Sequence, residues 1–187
     1  MTSFTLFETA ISACAIVWSA RGIAGVQLPE TDAAATRRRV LRRFAGACEA
    51  APPADVQQAI DGITALLRGE RREFSDLVLD FGELPEFNRR VYAIARTIPA
   101  GSTITYGEIA ERLGDKLLAR ETGTALGQNP IPLIVPCHRV LAAGGKSGGF
   151  SASGGVVTKL RLLTIEGAAP GGPTLFEKLP LAVRKRG

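Results

Sequence analysis

The residues best suited to chemistry in this chain are Cys137, His138 and Arg139, which follow Pro136 in direct succession. A thiolate is the nucleophilic form of cysteine, and cationic or basic neighbours promote it. His138 is the only histidine in the sequence, so any imidazole base must be this one. A cysteine beside an apolar run is ordinarily a small core hydrophobe, and the neighbours are what set Cys137 apart. The preceding stretch begins at Asn129 and carries Pro130, Pro132 and Pro136 around the apolar Leu133-Ile134-Val135. That trio reads as a short buried strand. Pro136 cannot donate to a ladder, so pairing should stop there and leave Cys137 at a bend, firmly held yet reachable.

The elements that must position this thiol lie on both sides of it. Downstream, Val140–Ala142 continues the chain, Gly144-Gly145 makes a turn, and a loop spans Ser147 to Gly155. The loop lacks the strand–glycine–helix setting of a phosphate cradle, leaving a surface loop or a wall closing over a planar ligand. Val156–Glu166 reads as a helix. Upstream, Thr105 caps a short helix Tyr106–Leu113, Gly114 stops it, and Lys116–Gln128 forms another. Two short helices about a glycine turn resemble a helix-turn-helix. Before them, Pro85–Ala95 spaces Phe87, Val91 and Ile94 as an inward helical stripe.

The N-terminal half has a different texture. Thr5–Ser19 and Ile23–Leu28 are apolar, β-leaning runs around the turn residue Gly22. Asp32 is placed to cap a helix reaching about Ala50, with Val40, Leu41, Phe44 and Ala47 inward and Cys48 packed at its end. Arg37, Arg38, Arg39, Arg42 and Arg43 fall mostly on the opposite, solvated face. Pro52-Pro53 breaks the helix, Ala54–Leu67 forms the next, and Phe74–Asp80 alternates as a strand should. Phe81–Pro85 reads as a linker. The expected division is therefore an N-terminal α/β domain over 1–83, a second domain over 84–170 and a basic tail over 171–187.

Composition narrows the class. Of 187 residues, 45% are hydrophobic, enough to bury a core. Lys and Arg number 23 against 18 Asp and Glu, and the net +5 permits a polyanionic partner without requiring one. Three cysteines at unrelated spacings form no disulfide framework. One histidine and no Cys-x-x-Cys argue against a metal site built by the protein. The apolar Ala10–Ala20 run is too short to span a membrane and has no basic flank. A reducing, cytoplasmic setting, with no membrane, is the expectation.

Taken together, Asn129-Pro130-Ile131-Pro132, Pro136-Cys137-His138-Arg139, Ile104-Thr105-Tyr106-Gly107, Arg120 with Gly123 and Ala125, Gly148-Gly149-Phe150-Ser151, Leu162-Leu163 and Glu166-Gly167 resemble the O6-alkylguanine-DNA alkyltransferase family. Order and spacing hold over roughly 85–167. The resemblance implies an α+β fold: a small, ribonuclease H-like N-terminal α/β domain, then a mostly helical, winged-helix-like DNA-binding domain carrying the helix-turn-helix. It implies stoichiometric, irreversible transfer of an alkyl group from O6 of guanine, and from O4 of thymine, to Cys137 after base flipping. The partner would be double-stranded DNA, the protein a monomer, and no cofactor or metal is implied.

Residue roles follow from the same resemblance. His138 takes the Cys137 proton through a water and Glu166 orients His138. Arg120 fills the vacated stack, and Tyr106 turns the phosphate and donates a proton toward O6. Thr105 and Gly123 lie on the DNA-binding surface. Val140, Gly149, Phe150, Ser151 and Leu126 form the base pocket, and Asn129 ties the recognition helix to the active-site segment. Four departures stand out: Glu121-Thr122 follow Arg120 where many members have small apolar residues, Phe150 replaces a common tyrosine, Ala152-Ser153 is a short insertion, and N-terminal histidines for a structural zinc are absent. Two other readings remain. A non-catalytic lesion-binding relative typically carries Trp in place of Cys137. A cysteine hydrolase would need an oxyanion motif, and adjacent residues rarely supply nucleophile and base directly.

Overall fold

The structure, a computed structural model, describes residues 1–168; the expected basic tail and the last two residues of the expected second domain lie outside the described residues. The chain folds as an α+β protein. Strands β1 (Ser3–Phe7), β2 (Cys14–Ser19) and β3 (Gly22–Gln27) form an antiparallel meander, with Phe4 opposite Val17 and Ile16 opposite Val26. The expected single run Thr5–Ser19 is thus two strands. Its break is organised by Thr9, whose hydroxyl accepts from Ile11 N at 3.2 Å and donates to Ser12 O at 2.6 Å.

Helix α1 (Ala33–Arg43) starts at Asp32, whose carboxylate accepts from Ala35 N at 2.6 Å. It ends well before Ala50. The chain instead returns as β4 (Cys48–Glu49), parallel to β1 at the sheet edge, so the order is β3-β2-β1-β4. Two expectations fail here: Cys48 is exposed on this edge strand, not packed, and Leu41 points outward at 37% exposure. Alternation does the sorting. Phe4, Ala15 and Val17 face Val40 and Ala47 on one side of the sheet, while Cys14, Ile16 and Trp18 face the larger core on the other.

Helix α2 (Ala54–Leu66) supplies Val56, Ile60 and Ile63 to that larger core. The expected strand at 74–80 shrinks to one bridge between Ile23 and Leu79. Backbone groups here are satisfied by a side chain in place of a ladder: Arg96 Nη2 donates to the carbonyls of Phe74 at 2.6 Å, Ser75 at 3.2 Å and Leu77 at 3.2 Å. Helix α3 (Glu86–Arg96) then buries Val91, Tyr92 and Ala95. The apolar cluster runs without interruption from Ile16 through Ile63 and Tyr92 to Ile131 and Val135, so the N-terminal sheet braces the segment that carries Cys137.

Beyond α3, β5 (Ile104–Thr105) leads into α4 (Tyr106–Arg112). Thr105 and Glu108 form a capping box, Thr105 Oγ1 accepting from Glu108 N at 3.1 Å and Glu108 Oε2 from Thr105 N at 2.6 Å. The expected continuous helix from Lys116 is a 3-10 turn, Lys116–Leu118, followed by α5 (Ala119–Gly127). Asp115 caps the turn by accepting from Leu117 N at 2.8 Å. Strand β6 (Val140–Leu141) pairs in parallel with β5, and α6 (Gly155–Ile165) closes the described chain.

Candidate active site

The Asn129–Arg139 segment is a series of tight turns, not the expected strand through Leu133–Val135. Leu133 sits at φ 73, a left-handed conformation that a bulky residue adopts only when its surroundings compel it. Burial supplies the compulsion, since Ile131, Leu133, Ile134 and Val135 are each at most 2% exposed. Asn129 supplies the pattern: its amide Nδ2 donates to Val135 O at 2.8 Å and its Oδ1 accepts from Ile131 N at 3.0 Å. A sheet strand anchors the same loop, because Val26 N of β3 donates to Pro130 O at 3.0 Å.

Pro136, at φ −80 and ψ 65, is the centre of an inverse γ-turn in which Cys137 N donates to Val135 O at 2.8 Å. Cys137–Arg139 then form one 3-10 turn. Successive side chains of such a turn point about a third of a revolution apart. Cys137 and His138 are accordingly neighbours in sequence without a direct side-chain hydrogen bond between them.

His138 and Arg139 converge on Glu166 at the end of α6. Glu166 Oε1 is 2.9 Å from His138 Nε2. Arg139 donates from Nε to Oε2 at 2.8 Å, from Nη2 to Oε1 at 2.9 Å and from Nη1 to Ile98 O at 2.6 Å. All three side chains are buried, that of Glu166 at 2% exposure. Burial alone would raise the Glu166 carboxyl, but the hydrogen bonds from His138 and Arg139 and the Arg139 charge outweigh it and hold it at about 2. Glu166 is therefore a carboxylate acceptor, and His138 meets it with Nε2–H. Burial pushes the His138 imidazole below its ordinary value despite Glu166, so the ring is neutral with its lone pair at Nδ1. That Nδ1 is buried and has no partner among the described residues.

Cys137 is 6% exposed and forms part of the lining of a cavity of about 500 Å³. Burial raises its thiol above the ordinary value, opposed by the Asn129 amide and by the charge of Lys159. Tyr106, Arg120, Gly123, Leu126, Gly149, Phe150 and Ser151 line the same cavity. The tertiary fold thus gathers residues from α4, α5, the 3-10 turn and the loop before α6. Arg120 is exposed one residue into α5. That helix is oriented from behind by α3, where Tyr92 OH donates to Ala125 O at 2.8 Å and Asn88 Nδ2 to Gln128 Oε1 at 3.1 Å.

Two residues expected at the pocket or the DNA surface, Val140 and Thr105, stand apart from the opening, and Asn129, expected as a structural tie, lies behind it. Val140 is fully buried behind it, and its carbonyl already accepts from Lys159 Nζ at 2.6 Å. The Thr105 hydroxyl is engaged with Glu108 in the capping box. Asn129 holds the backbone and does not line the 500 Å³ cavity.

Lys159 is the site residue that sequence reasoning missed. It is fully buried on α6, with Nζ 3.4 Å from Tyr106 OH and 3.5 Å from Gly149 O in addition to Val140 O. Burial brings its ammonium down to about 8 despite the opposing pull of Cys137. The signal was present, for Lys159 lies three and four positions before the buried Leu162 and Leu163 and so shares their face. The sequence marks Arg139 only as a basic neighbour of the thiol, and its clamp on Glu166 comes from the fold. Gly148 matters by its lack of a side chain: at φ 66, a Cβ there would lie 3.0 Å from both Tyr106 Oη and Cε2.

Residues 86–168 match the family model described as the DNA-binding domain of 6-O-methylguanine DNA methyltransferase. A methylated-DNA–protein-cysteine methyltransferase of Methanothermobacter thermautotrophicus is 36% identical over 157 residues, covering 84% of this chain and 81% of that protein. A DNA base-flipping protein of Thermus thermophilus is 42% identical over 108 residues, covering 58% of this chain and 71% of that one. The crystal structure of Mycobacterium tuberculosis OGT in complex with DNA superposes with a TM-score of 0.72 at 32% identity, covering 90% of this chain and 96% of that chain.

Proposed function

The chain belongs to the methylated-DNA–protein-cysteine methyltransferase family, and from that premise we propose that it repairs DNA by moving an alkyl group from O6 of guanine, or O4 of thymine, onto Cys137. The observation that carries this reading is the position of the thiol. It lies at the wall of a 500 Å³ cavity whose other walls include the cation Arg120 and the phenol Tyr106. A base inside a duplex cannot touch a thiol 6% exposed, so the nucleotide must be rotated out, at a cost of a few kcal/mol.

The α4–α5 pair is read as the helix-turn-helix, with α5 facing the minor groove and Arg120 entering the vacated stack. Its planar guanidinium can stack on bases while offsetting phosphate charge. Gly123 keeps that face of α5 low beside the Tyr106 ring. Phe150 and Leu126 flank the extruded base, and backbone groups of Gly149 and Ser151 are its hydrogen-bonding edge.

The proton path follows from the buried relay. Cys137 starts as a thiol because burial disfavours its charge. His138 Nδ1 is the free base, and since the two side chains do not meet directly, one water between them carries the proton. Glu166 balances the imidazolium that forms, and Arg139 keeps Glu166 from turning away. The sulfur then displaces the guanine from the alkyl carbon, leaving a thioether. The tyrosine hydroxyl, beside the Lys159 ammonium, is placed to give a proton to the departing base. No described group would cleave the thioether, so each molecule acts once.

The test is intact-protein mass spectrometry after incubation with a duplex containing O6-methylguanine. A gain of one CH2, mapped to Cys137 and absent in Cys137→Ser, is the expected outcome. Tight binding with no mass gain would support instead a base-flipping role without transfer, as the name of the Thermus thermophilus relative suggests.

A further inference from the structure

Cys137 borders two cavities. The second, of about 220 Å³, shares Cys137, Phe150 and Ser151 with the first but extends toward the N-terminal sheet. Its far walls are polar: Gln27 at the end of β3, Glu30, Arg39 and Arg43 of α1, and Ser153. Ala152 and Ser153 line this cavity and not the first, so the short insertion noted in the sequence forms part of its outer wall.

The charges in this wall do not cancel. Glu30, its one carboxylate, lies 4.0 Å from Arg39 and accepts from Gln27 Nε2 at 3.3 Å. Arg43 donates once, from Nη1 to Gln27 Oε1 at 3.0 Å, and its guanidinium lies 5.6 Å from the Phe44 ring centre. Among the described residues it forms no ion pair, and its remaining N–H groups are unclaimed. A guanidinium held by an amide and an aromatic ring, without a carboxylate, is ready to take one.

Displacement at carbon also demands space here. Sulfur, carbon and O6 lie in line during transfer, so any further atom on that carbon projects sideways from the line. A methyl group has none and fits the first cavity alone. A longer substituent must run beside the thiol, where Cys137, Phe150 and Ser151 border the second cavity as well as the first.

We propose that the second cavity is a subsite for the far end of O6-substituents longer than methyl, and that it favours those ending in a carboxylate, carboxymethyl being the simplest. The proposal rests on the alkyl-transfer reading above. In the step, sulfur bonds to the methylene carbon as the carbon–O6 bond breaks. The electron pair of that bond stays with guanine, which takes a proton from the Tyr106 hydroxyl while the proton given up by the thiol rests on His138, and the carboxylate remains on the new thioether facing Arg43.

The experiment uses the full chain with duplexes bearing O6-methyl-, O6-propyl-, O6-carboxymethyl- or O6-(2-aminoethyl)guanine, read by time-resolved intact mass. Wild type should transfer carboxymethyl faster than the similarly sized propyl, and aminoethyl slowest of all. Arg43 is exposed, so Arg43→Gln should lower the ratio of carboxymethyl to methyl transfer by roughly twofold to fivefold, the worth of a solvent-screened ion pair, with Arg43→Lys retaining much of it. An unchanged ratio in Arg43→Gln, or propyl outrunning carboxymethyl in wild type, would overturn the subsite while leaving methyl transfer intact. Should Arg43→Gln not fold, the wild-type ratio of carboxymethyl to methyl transfer is measured at low and high salt, where screening of the Arg43 charge should lower it and an unchanged ratio would overturn the subsite. Absence of any CH2 gain from the methyl duplex would overturn the alkyl-transfer reading itself, and the subsite with it.

Discussion

Arg139 grips Glu166 through two parallel hydrogen bonds, Nε to Oε2 at 2.8 Å and Nη2 to Oε1 at 2.9 Å, in a region where both side chains are almost wholly buried. The pair joins the turn that carries the thiol to the end of α6. Removing one partner strands the other charge without water. Arg139→Ala should therefore destabilise the fold by about 3–5 kcal/mol, and Arg139→Lys, which cannot reproduce the two-pronged contact, should recover only part of it. Denaturant unfolding of the three proteins measures this.

The same carboxylate sets an acid limit. Glu166 lies at 4.5 when unperturbed and at about 2 in the fold. Its stabilising contribution is complete above about pH 4.5 and is lost as pH falls toward 2, because the unfolded chain takes up the proton first. Thermal midpoints of wild type and Glu166→Gln should be well separated at neutral pH and converge over that window.

Lys159 carries its charge close to Cys137 and within 3.4 Å of the Tyr106 hydroxyl. Lys159→Met preserves volume but removes that charge, so the Cys137 thiol should be harder to ionise and methyl transfer should fall roughly tenfold or more. Iodoacetamide labelling against pH, read on the Cys137 peptide to exclude the exposed Cys48, should shift toward higher pH in the variant.

Gly148 and Gly149 make a matched comparison. A methyl group at Gly148 meets the Tyr106 ring and hydroxyl at 3.0 Å from a left-handed backbone, whereas at Gly149 nothing lies within 4 Å. Gly148→Ala should cost about 1–3 kcal/mol and slow transfer by displacing Tyr106. Gly149→Ala should stay close to wild type in stability.

Arg120 acts on the duplex and not on the chemistry in the reading proposed here. Arg120→Ala should slow repair of O6-methylguanine in duplex DNA far more than reaction with free O6-benzylguanine, which needs no flipping. Equal losses on both substrates would remove Arg120 from that role.

Local patterns in the sequence announced α2, α3 and the Thr105 cap of α4, because helical stripes and capping boxes are written within a few residues. The Leu133–Val135 trio was not legible. Three apolar residues look the same in a strand and in a buried turn, and only the Asn129 hydrogen bonds and the surrounding core hold Leu133 at its positive φ. Phe74–Asp80 alternates like a strand, yet the carbonyls of Phe74, Ser75 and Leu77 are claimed by Arg96 from a helix that begins six residues later.

The sequence by itself determined the chemistry available: one histidine, one cysteine beside it, and a set of spaced motifs that named the family. Tertiary structure decided how that chemistry is wired. Glu166 reaches His138 across 28 residues, and Lys159 turns inward to Val140 and Tyr106. Arg43 comes from the N-terminal half of the chain to the second cavity beside the thiol. Such meetings depend on how the sheet, α3 and α6 close around one continuous core. Burial then sets the protonation of each group, which no spacing along the chain can specify.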